Sequence, residues 1–233
     1  MCALVLGLSP LARAASRAAQ VTYLSGHATL WGPGRHRGRA LHRGSVVHEH
    51  DQVETGANTR VELTTSDGSV VRVGPETKLL LKSAYFGSSG VKRFSVKLLF
   101  GRLWSKVRGL VGSRSKFEVV TDNAVAGVRG TTFRVDARKD KSVVLKVYAG
   151  SVAMASPMIV RPHVPSAPGG RHQVSGPSRI SAQAWEKLVG RMMELTVNAD
   201  GSAGEPKPFT AKDDAGDAWA QWNQRMDAKE SRQ

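Results

Sequence analysis

Cysteine is nearly absent: Cys2 is the single one in 233 residues. It lies at the head of an N-terminal apolar stretch, so the rest of the chain has no disulfide, no cysteine-ligated zinc and no thiol nucleophile. Beyond that stretch no apolar run reaches the roughly 18 residues that a membrane-spanning helix requires. Acidic residues are also scarce, 19 against 34 lysines and arginines, giving a formal charge of +15 and a sequence pI near 10.5. That balance favours anionic surroundings such as nucleic acid, phospholipid headgroups or an anionic envelope polymer, and charge sign alone does not choose among them. Neither G-x-S-x-G, H-E-x-x-H, a Walker loop nor a dinucleotide glycine fingerprint occurs. No catalytic residue, metal site or cofactor is therefore expected.

What is present is a succession of short segments rich in Val, Thr, Leu and aromatics, punctuated by Gly, Asp, Asn and Ser. Strands are expected over residues 20–24, 27–31, 59–65, 69–73, 78–82, 92–100, 102–107, 117–121, 131–137, 142–148 and 151–155. The S-D-G-S run at Ser66 to Ser69 places Asp67 and Gly68 at a turn between two of them. Near-neighbour pairing of such strands gives a mainly β fold, a compact β-helical or sandwich-like stack, followed by one or two C-terminal α-helices.

The chain divides into four parts on this reading. Residues 1–19 hold an apolar run ending near Pro10 and then Ala12-Arg13-Ala14, the pattern of a signal peptide. Met1 passes straight into the apolar run without a basic n-region, so the natural start is expected upstream; a buried N-terminal helix is the alternative. Residues 20–155 form the β domain, and residues 156–180 a Pro/Gly-rich linker with room for an edge strand. In the extension 181–233, Ser181 caps a helix whose stripe is Trp185, Leu188, Val189, Met192 and Leu195, packed on the β domain. A second helix starts at Asp217 and carries Trp219, Trp222 and Met226 on one face. From Asp213 onward five acidic residues face three basic ones, so an acidic Trp-bearing helix can fold back onto a basic body.

Candidate anion contacts are Arg35, Arg37, Arg39 and Arg43 in a Gly-rich loop with His36 and His42; Lys106, Arg108, Arg114 and Lys116 form a second cluster. No nucleic-acid-binding module accompanies them, which disfavours nucleic acid. His48 and His50 share a face if extended, but lack a third oriented ligand and read as solvated histidines. Glu62, Asp67, Glu76 and Glu118 are scattered, as on a solvated face. In N-A-V-A-G-V-R-G-T-T-F-R-V, from Asn123 to Val135, no helix follows the glycines, so a phosphate loop is incomplete. A tight corner fits better: Gly127 and Gly130 permit positive φ or close backbone approach, Val125 and Val128 pack inward, Phe133 and Val135 open a buried strand face, and Arg129 reaches neighbouring carbonyls.

The segment T-D-N-A-V-A-G-V-R-G-T-T-F-R-V resembles the hallmark of the FecR-like periplasmic domain family, with Gly127, Arg129, Gly130, Thr131 and Phe133 as its motif positions. H-E-H-D-Q-V-E-T-G, followed by the turn at Asp67 and Gly68, is similar to that family's G-D-x-[IV]-x-T-G signature, with His50 where Gly is common. The likeness runs over residues 21–154. It implies an all-β, non-enzymatic, periplasmic or secreted module acting in protein interaction or envelope signalling. Its partner would be an envelope protein, met by strand addition, or an anionic envelope polymer. Sigma-factor regulation in FecR proteins uses a cytoplasmic helical segment and a membrane span ahead of this domain, and is not expected to carry over. Two other readings stay open: a β-helical carbohydrate-active protein, which would cluster Asp, Lys and Arg in one groove, and a nucleic-acid binder if the leader is retained.

Overall fold

The computed structural model describes residues 18–87, 91–109, 115–158 and 184–231. Along them run β1 (Ala19–Ser25), β2 (Ala28–Trp31), β3 (Arg39–Ala40), β4 (Val46–Val47), β5 (Gln52–Thr55), β6 (Arg60–Thr65), β7 (Val70–Val73), β8 (Lys78–Phe86) and β9 (Lys92–Lys106). Then follow β10 (Lys116–Val120), β11 (Val125–Val128), β12 (Thr132–Ala137), β13 (Val143–Ala149), β14 (Val152–Ala155), β15 (Glu186–Val189), β16 (Met193–Val197), β17 (Lys207–Pro208), a 3₁₀ turn at Ala211–Asp214 and α1 (Ala218–Glu230).

Two sheets pack face to face, as the alternation of apolar residues in the sequence requires. One has the order β4-β1-β6-β7-β9-β12-β13-β16-β17. The other has the order β3-β2-β5-β8-β9-β10-β11-β14-β15. The helix α1 lies over the first, called here the covered sheet; the second is the open sheet. Between them sits one apolar core: Val61, Leu63, Val71, Leu103, Phe133, Val135 and Leu145 from the covered sheet meet Leu79, Val96, Leu98, Phe117, Val119 and Met154 from the open one.

The strand β9 belongs to both sheets. Residues 103–106 of β9 take the centre of the covered sheet, between β7 and β12, and residues 93–97 the centre of the open one, between β8 and β10. The sequence reading splits it into two strands at Gly101; the chain instead turns there with φ 103° and stays paired.

At Gly101 and at two other corners between the sheets the chain uses one repeated device, a threonine set against a glycine. Thr59 Oγ1 accepts from His27 N and donates to His27 O, both at 3.0 Å. Thr77 Oγ1 accepts from Arg102 N at 2.9 Å, and Thr131 Oγ1 donates to Ser151 O at 2.9 Å. A Cβ on the facing Gly26, Gly101 or Gly150 would fall 2.5, 2.3 or 2.9 Å from the respective threonine hydroxyl. All three threonines are buried, so each hydroxyl satisfies backbone groups that water cannot reach.

One expected element is corrected. The stripe from Trp185 to Leu195 forms no helix but two strands in different sheets, β15 paired to β14 and β16 to β13. The chain turns at Gly190 and at Met192, whose φ is 57°. Leu188 and Val189 would share a helical face; as strand neighbours they point oppositely, Leu188 being 70% exposed and Val189 buried. Leu195 and Val197 alternate into the core, and sheet pairing overrides the helical spacing. Residues 1–17 of the expected leader at 1–19 and most of the linker, with Ser181, lie outside the described residues, and Ala19 already belongs to β1. No described helix is long and apolar enough to cross a membrane.

Candidate functional site

Pairing register draws one outward row across the covered sheet: Tyr23, Glu62, Arg72, Trp104, Arg134, Lys146, Glu194 and Lys207. Each belongs to a different strand, and Glu62, Arg72, Trp104, Arg134 and Lys146 lie between buried residues of their own strands, so period-2 geometry puts them on one face. The row is cationic and aromatic, with a carboxylate beside its cations. Arg72 Nε donates to Glu62 Oε2 at 2.7 Å, Arg134 donates to Asp136, and Lys146 lies 3.6 Å from Glu194.

The C-terminal segment supplies a second set of carboxylates. Asp217 caps α1, accepting from Trp219 N and Ala220 N, and also pairs with Arg102 and Arg134. Asp227 accepts from Arg72 at 2.6 Å and from Trp104 Nε1 at 3.0 Å; Glu230 pairs with Arg72 and Lys106. In the 3₁₀ turn, Asp214 accepts from Lys146 at 2.9 Å and from the Tyr148 hydroxyl at 2.7 Å. Trp219 and Trp222 stack on each other and join Trp104, Tyr23 and Tyr148 in a cluster separate from the main core. Arg60 and Arg72 lie over the Trp222 ring at 5.3 and 5.8 Å, a cation–π arrangement.

Arg72 has a fully buried side chain with three carboxylates around it. Burial alone would lower its pKa, but Asp227 and Glu62 outweigh that and hold it above the ordinary guanidinium range. Burial opposes the charge of Arg134 too, and Asp136 and Asp217 again more than compensate. Burial and the bond to Asp214 both push the Tyr148 hydroxyl up, keeping it a neutral donor. Asp217 would be raised by burial, yet the Arg102 bond and the charges of Arg134 and Arg102 bring it down to about 2. Complementarity is incomplete: Trp219 Nε1 and Asn223 Oδ1 are buried without a hydrogen-bond partner among the described residues, and Arg134 Nη1 sits 2.8 Å from Asp217 without hydrogen-bond alignment.

The residues singled out by sequence occupy other places. Gly130 turns the corner from β11 to β12 with φ 60°, and Thr131 behind it is one of the three corner threonines. Phe133 is fully buried. Gly127 corrects the expectation of positive φ: it lies inside β11, opposite Glu118 and Ala153, where a Cβ would find ordinary space. With Arg129 it lines a shallow groove of about 420 Å³ on the open sheet. Asp67 and Gly68 form the β6–β7 turn, Gly68 having φ 77° and Asp67 accepting from Thr65 and Ser69. Burial would raise Asp67, but those bonds and Lys92 lower it.

Arg35, Arg37 and Arg39 come together around one cleft of about 530 Å³, with His48, Glu49 and Asp51 also on its walls; Arg43 does not line it. His50 sits in a turn and not on a strand, so His48 and His50 do not share a face, and no metal-holding group of three ligands occurs among the described residues. Glu62 is a further correction: it is buried against Arg72 and not solvated. The Asp, Lys and Arg cluster that would favour a carbohydrate-active reading does exist, but it is taken up in ion pairs beneath the C-terminal segment.

Sequence reasoning missed Arg72, Arg102, Trp104, Arg134 and Tyr148. A signal was there: V-V-R-V, R-L-W-S-K and F-R-V-D each place a charge or an aromatic between core residues, a pattern that ordinary solvated strands share.

Residues 51–153 match the family model FecR, described as FecR protein. The matched stretch runs from the turn before β5 into β14 and contributes to both sheets, so it constitutes a FecR domain. No curated protein matches the chain. Among solved structures, two crystal structures of a candidate anti-sigma factor from Parabacteroides distasonis ATCC 8503, at 2.50 and 1.65 Å resolution, are similar, each 17% identical, with TM-scores of 0.49 and 0.48. Each alignment covers 69% of this chain and 61% of the other. The chain thus spans about six tenths of their length.

Proposed function

We propose that this protein is a non-enzymatic, extracytoplasmic FecR-like module that works by protein interaction in envelope signalling and does not itself regulate a sigma factor. The observation that carries the reading is the FecR domain at residues 51–153. The side chains that this domain gathers most densely, Arg72, Trp104 and Arg134, are arranged to hold a protein helix, since they already hold one. The described helix is engaged with the sheet, which supports contact as the mode of action.

The N-terminal sequence and cell fraction of the protein, expressed from its own locus with its upstream region intact, test the compartment. Processing near Ala15 with release to the periplasm or medium is the expected result; an unprocessed cytoplasmic chain overturns it. A second reading of the partner, an anionic envelope polymer, is favoured by the convergence of Arg35, Arg37 and Arg39 on one cleft. Replacing all three with serine should shift elution from an immobilised anionic polysaccharide to lower salt, and an unchanged elution would dismiss that cleft.

A further inference from the structure

We infer that the outer face of the covered sheet is a receptor for an acidic, tryptophan-bearing helix, and that α1 is its tethered occupant, displaceable by a partner protein's helix of the same chemistry. This deepens the interaction role proposed above and rests on it for the partner being a protein.

Three observations carry it. First, Arg72, Arg102, Arg134 and Lys146 each have a carboxylate partner that does not come from α1. Arg72 keeps Glu62, Arg102 and Arg134 keep Asp136, and Lys146 keeps Glu194, all from the sheet itself. Departure of the helix therefore leaves no cation of this group without a carboxylate, whereas a helix integral to the core would strand them. Second, the two surfaces match in charge and in shape. Asp217, Asp227 and Glu230 meet Arg102, Arg134, Arg72 and Lys106, while Trp222 enters between Tyr23 and the guanidiniums of Arg60 and Arg72. Third, the fit is imperfect. Trp219 Nε1 and Asn223 Oδ1 are buried on the helix with no partner among the described residues, a cost of closing that a better-matched helix avoids. In addition α1 has 13 residues, too few to be stable away from a surface, so release and unwinding go together.

The recognised chemistry is then specific: a helix with Trp-x-x-Trp on one face and carboxylates at its N-cap and last turn, as in Asp217, Trp219, Trp222, Asp227 and Glu230. Tethering keeps α1 at an effective concentration on the order of millimolar, so a free helix competes poorly until the clasp is weakened.

The test uses the full chain carrying Asp217→Asn, Asp227→Asn and Glu230→Gln together, and as probe a fluorescent peptide of residues 210–231. The probe should bind this variant at least about tenfold more tightly than it binds the unaltered protein, in which α1 holds the site. A probe with both tryptophans replaced by alanine should not bind. Hydrogen exchange supplies an independent readout: in about 0.5 M salt the amides of α1 should exchange faster while those of β7, β9 and β12 stay protected. Loss of protection in α1 and those strands together would make the helix part of the core and overturn the inference. So would a folded variant that does not bind the probe. Dimerisation of the variant by exchanged helices would replace the foreign helix with a second copy and overturn it as stated. None of these outcomes depends on compartment, so the extracytoplasmic reading stands or falls separately.

Discussion

The two sheets share a strand and a core, yet their outer faces differ. Across the open sheet the register row reads Ser83, Ser95, Glu118, Gly127, Ala153 and Leu188, mostly small side chains with a single charge and the exposed Leu188 at one end. Across the covered sheet the corresponding row holds two arginines, two lysines, two carboxylates and two aromatics. The inner faces are equally apolar, so the fold does not require this contrast. A charged, aromatic outer row is costly to build, because each cation must be matched when it is covered. The covered sheet is therefore where the molecule departs from what a stable sandwich needs, and departures of that kind concentrate at functional surfaces.

The comparison is broken most severely at Arg72. Arg72→Ala removes a fully buried cation and leaves Glu62 and Asp227 facing each other in a poorly hydrated space. Destabilisation of about 3–5 kcal/mol is expected, the usual result when one member of a buried ionic group is deleted. Arg72→Met should recover part of it if Glu62→Gln accompanies the change, since the carboxylate is then no longer stranded. Chemical denaturation of the single and double variants measures both; equal losses would show that packing and not charge dominates there.

Gly130→Val strikes the corner that joins the two sheets. A β-branched residue at φ 60° is strained whatever the space around it, at a cost of about 2–3 kcal/mol. Because β11 and β12 lie in different sheets, both should lose hydrogen-exchange protection together, in contrast to α1-directed changes. A melting temperature equal to that of the unaltered protein would refute the corner.

How much of this was legible follows from the same contrast. Local alternation revealed the strands that build the core, and the glycine-rich corner at Gly130 could be argued from the strand that follows it. Asp217 and the tryptophans announced α1, because a cap and an i, i+3 stripe are both local. The strands β15 and β16 were not legible, since Trp185, Leu188 and Val189 fit a helical spacing and only pairing with β13 and β14 decides otherwise. The row from Tyr23 to Lys207 was hidden for a related reason. Arg72 and Asp227 lie 155 positions apart, and nothing within either segment tells a solvated arginine from a buried one.

Acid should loosen the covered side first. Asp217 has its pKa lowered from 3.8 to about 2, so its contribution is fully present above the unfolded value and is lost as pH falls through the folded one. With the side chain 21% exposed, that contribution is on the order of 2 kcal/mol. Between pH 5 and pH 2 the unaltered protein should therefore lose about 2 kcal/mol more stability than Asp217→Asn, whose side chain cannot titrate there. Parallel acid profiles for the two proteins would show that other carboxylates carry the acid sensitivity.

The smallest expected effect is a gain, and it lies away from the clasp. His50 occupies the turn from His48 to Asp51 with φ 68°, where the FecR signature commonly has glycine. Asp51 holds that turn by accepting from His48 N at 2.9 Å, and His50 N donates to Leu81 O at 2.7 Å, so the left-handed conformation is imposed by its neighbours. A histidine pays for that conformation by about 1 kcal/mol, which glycine does not, although glycine adds entropy to the unfolded chain. His50→Gly should thus stabilise the protein by no more than about 0.5 kcal/mol without changing the acid profile or the protection of α1. The same substitution sharpens the comparison between the sheets: it acts through β5 and β8 of the open sheet alone, and any change in helix exchange would mean that the two outer faces are coupled through the core.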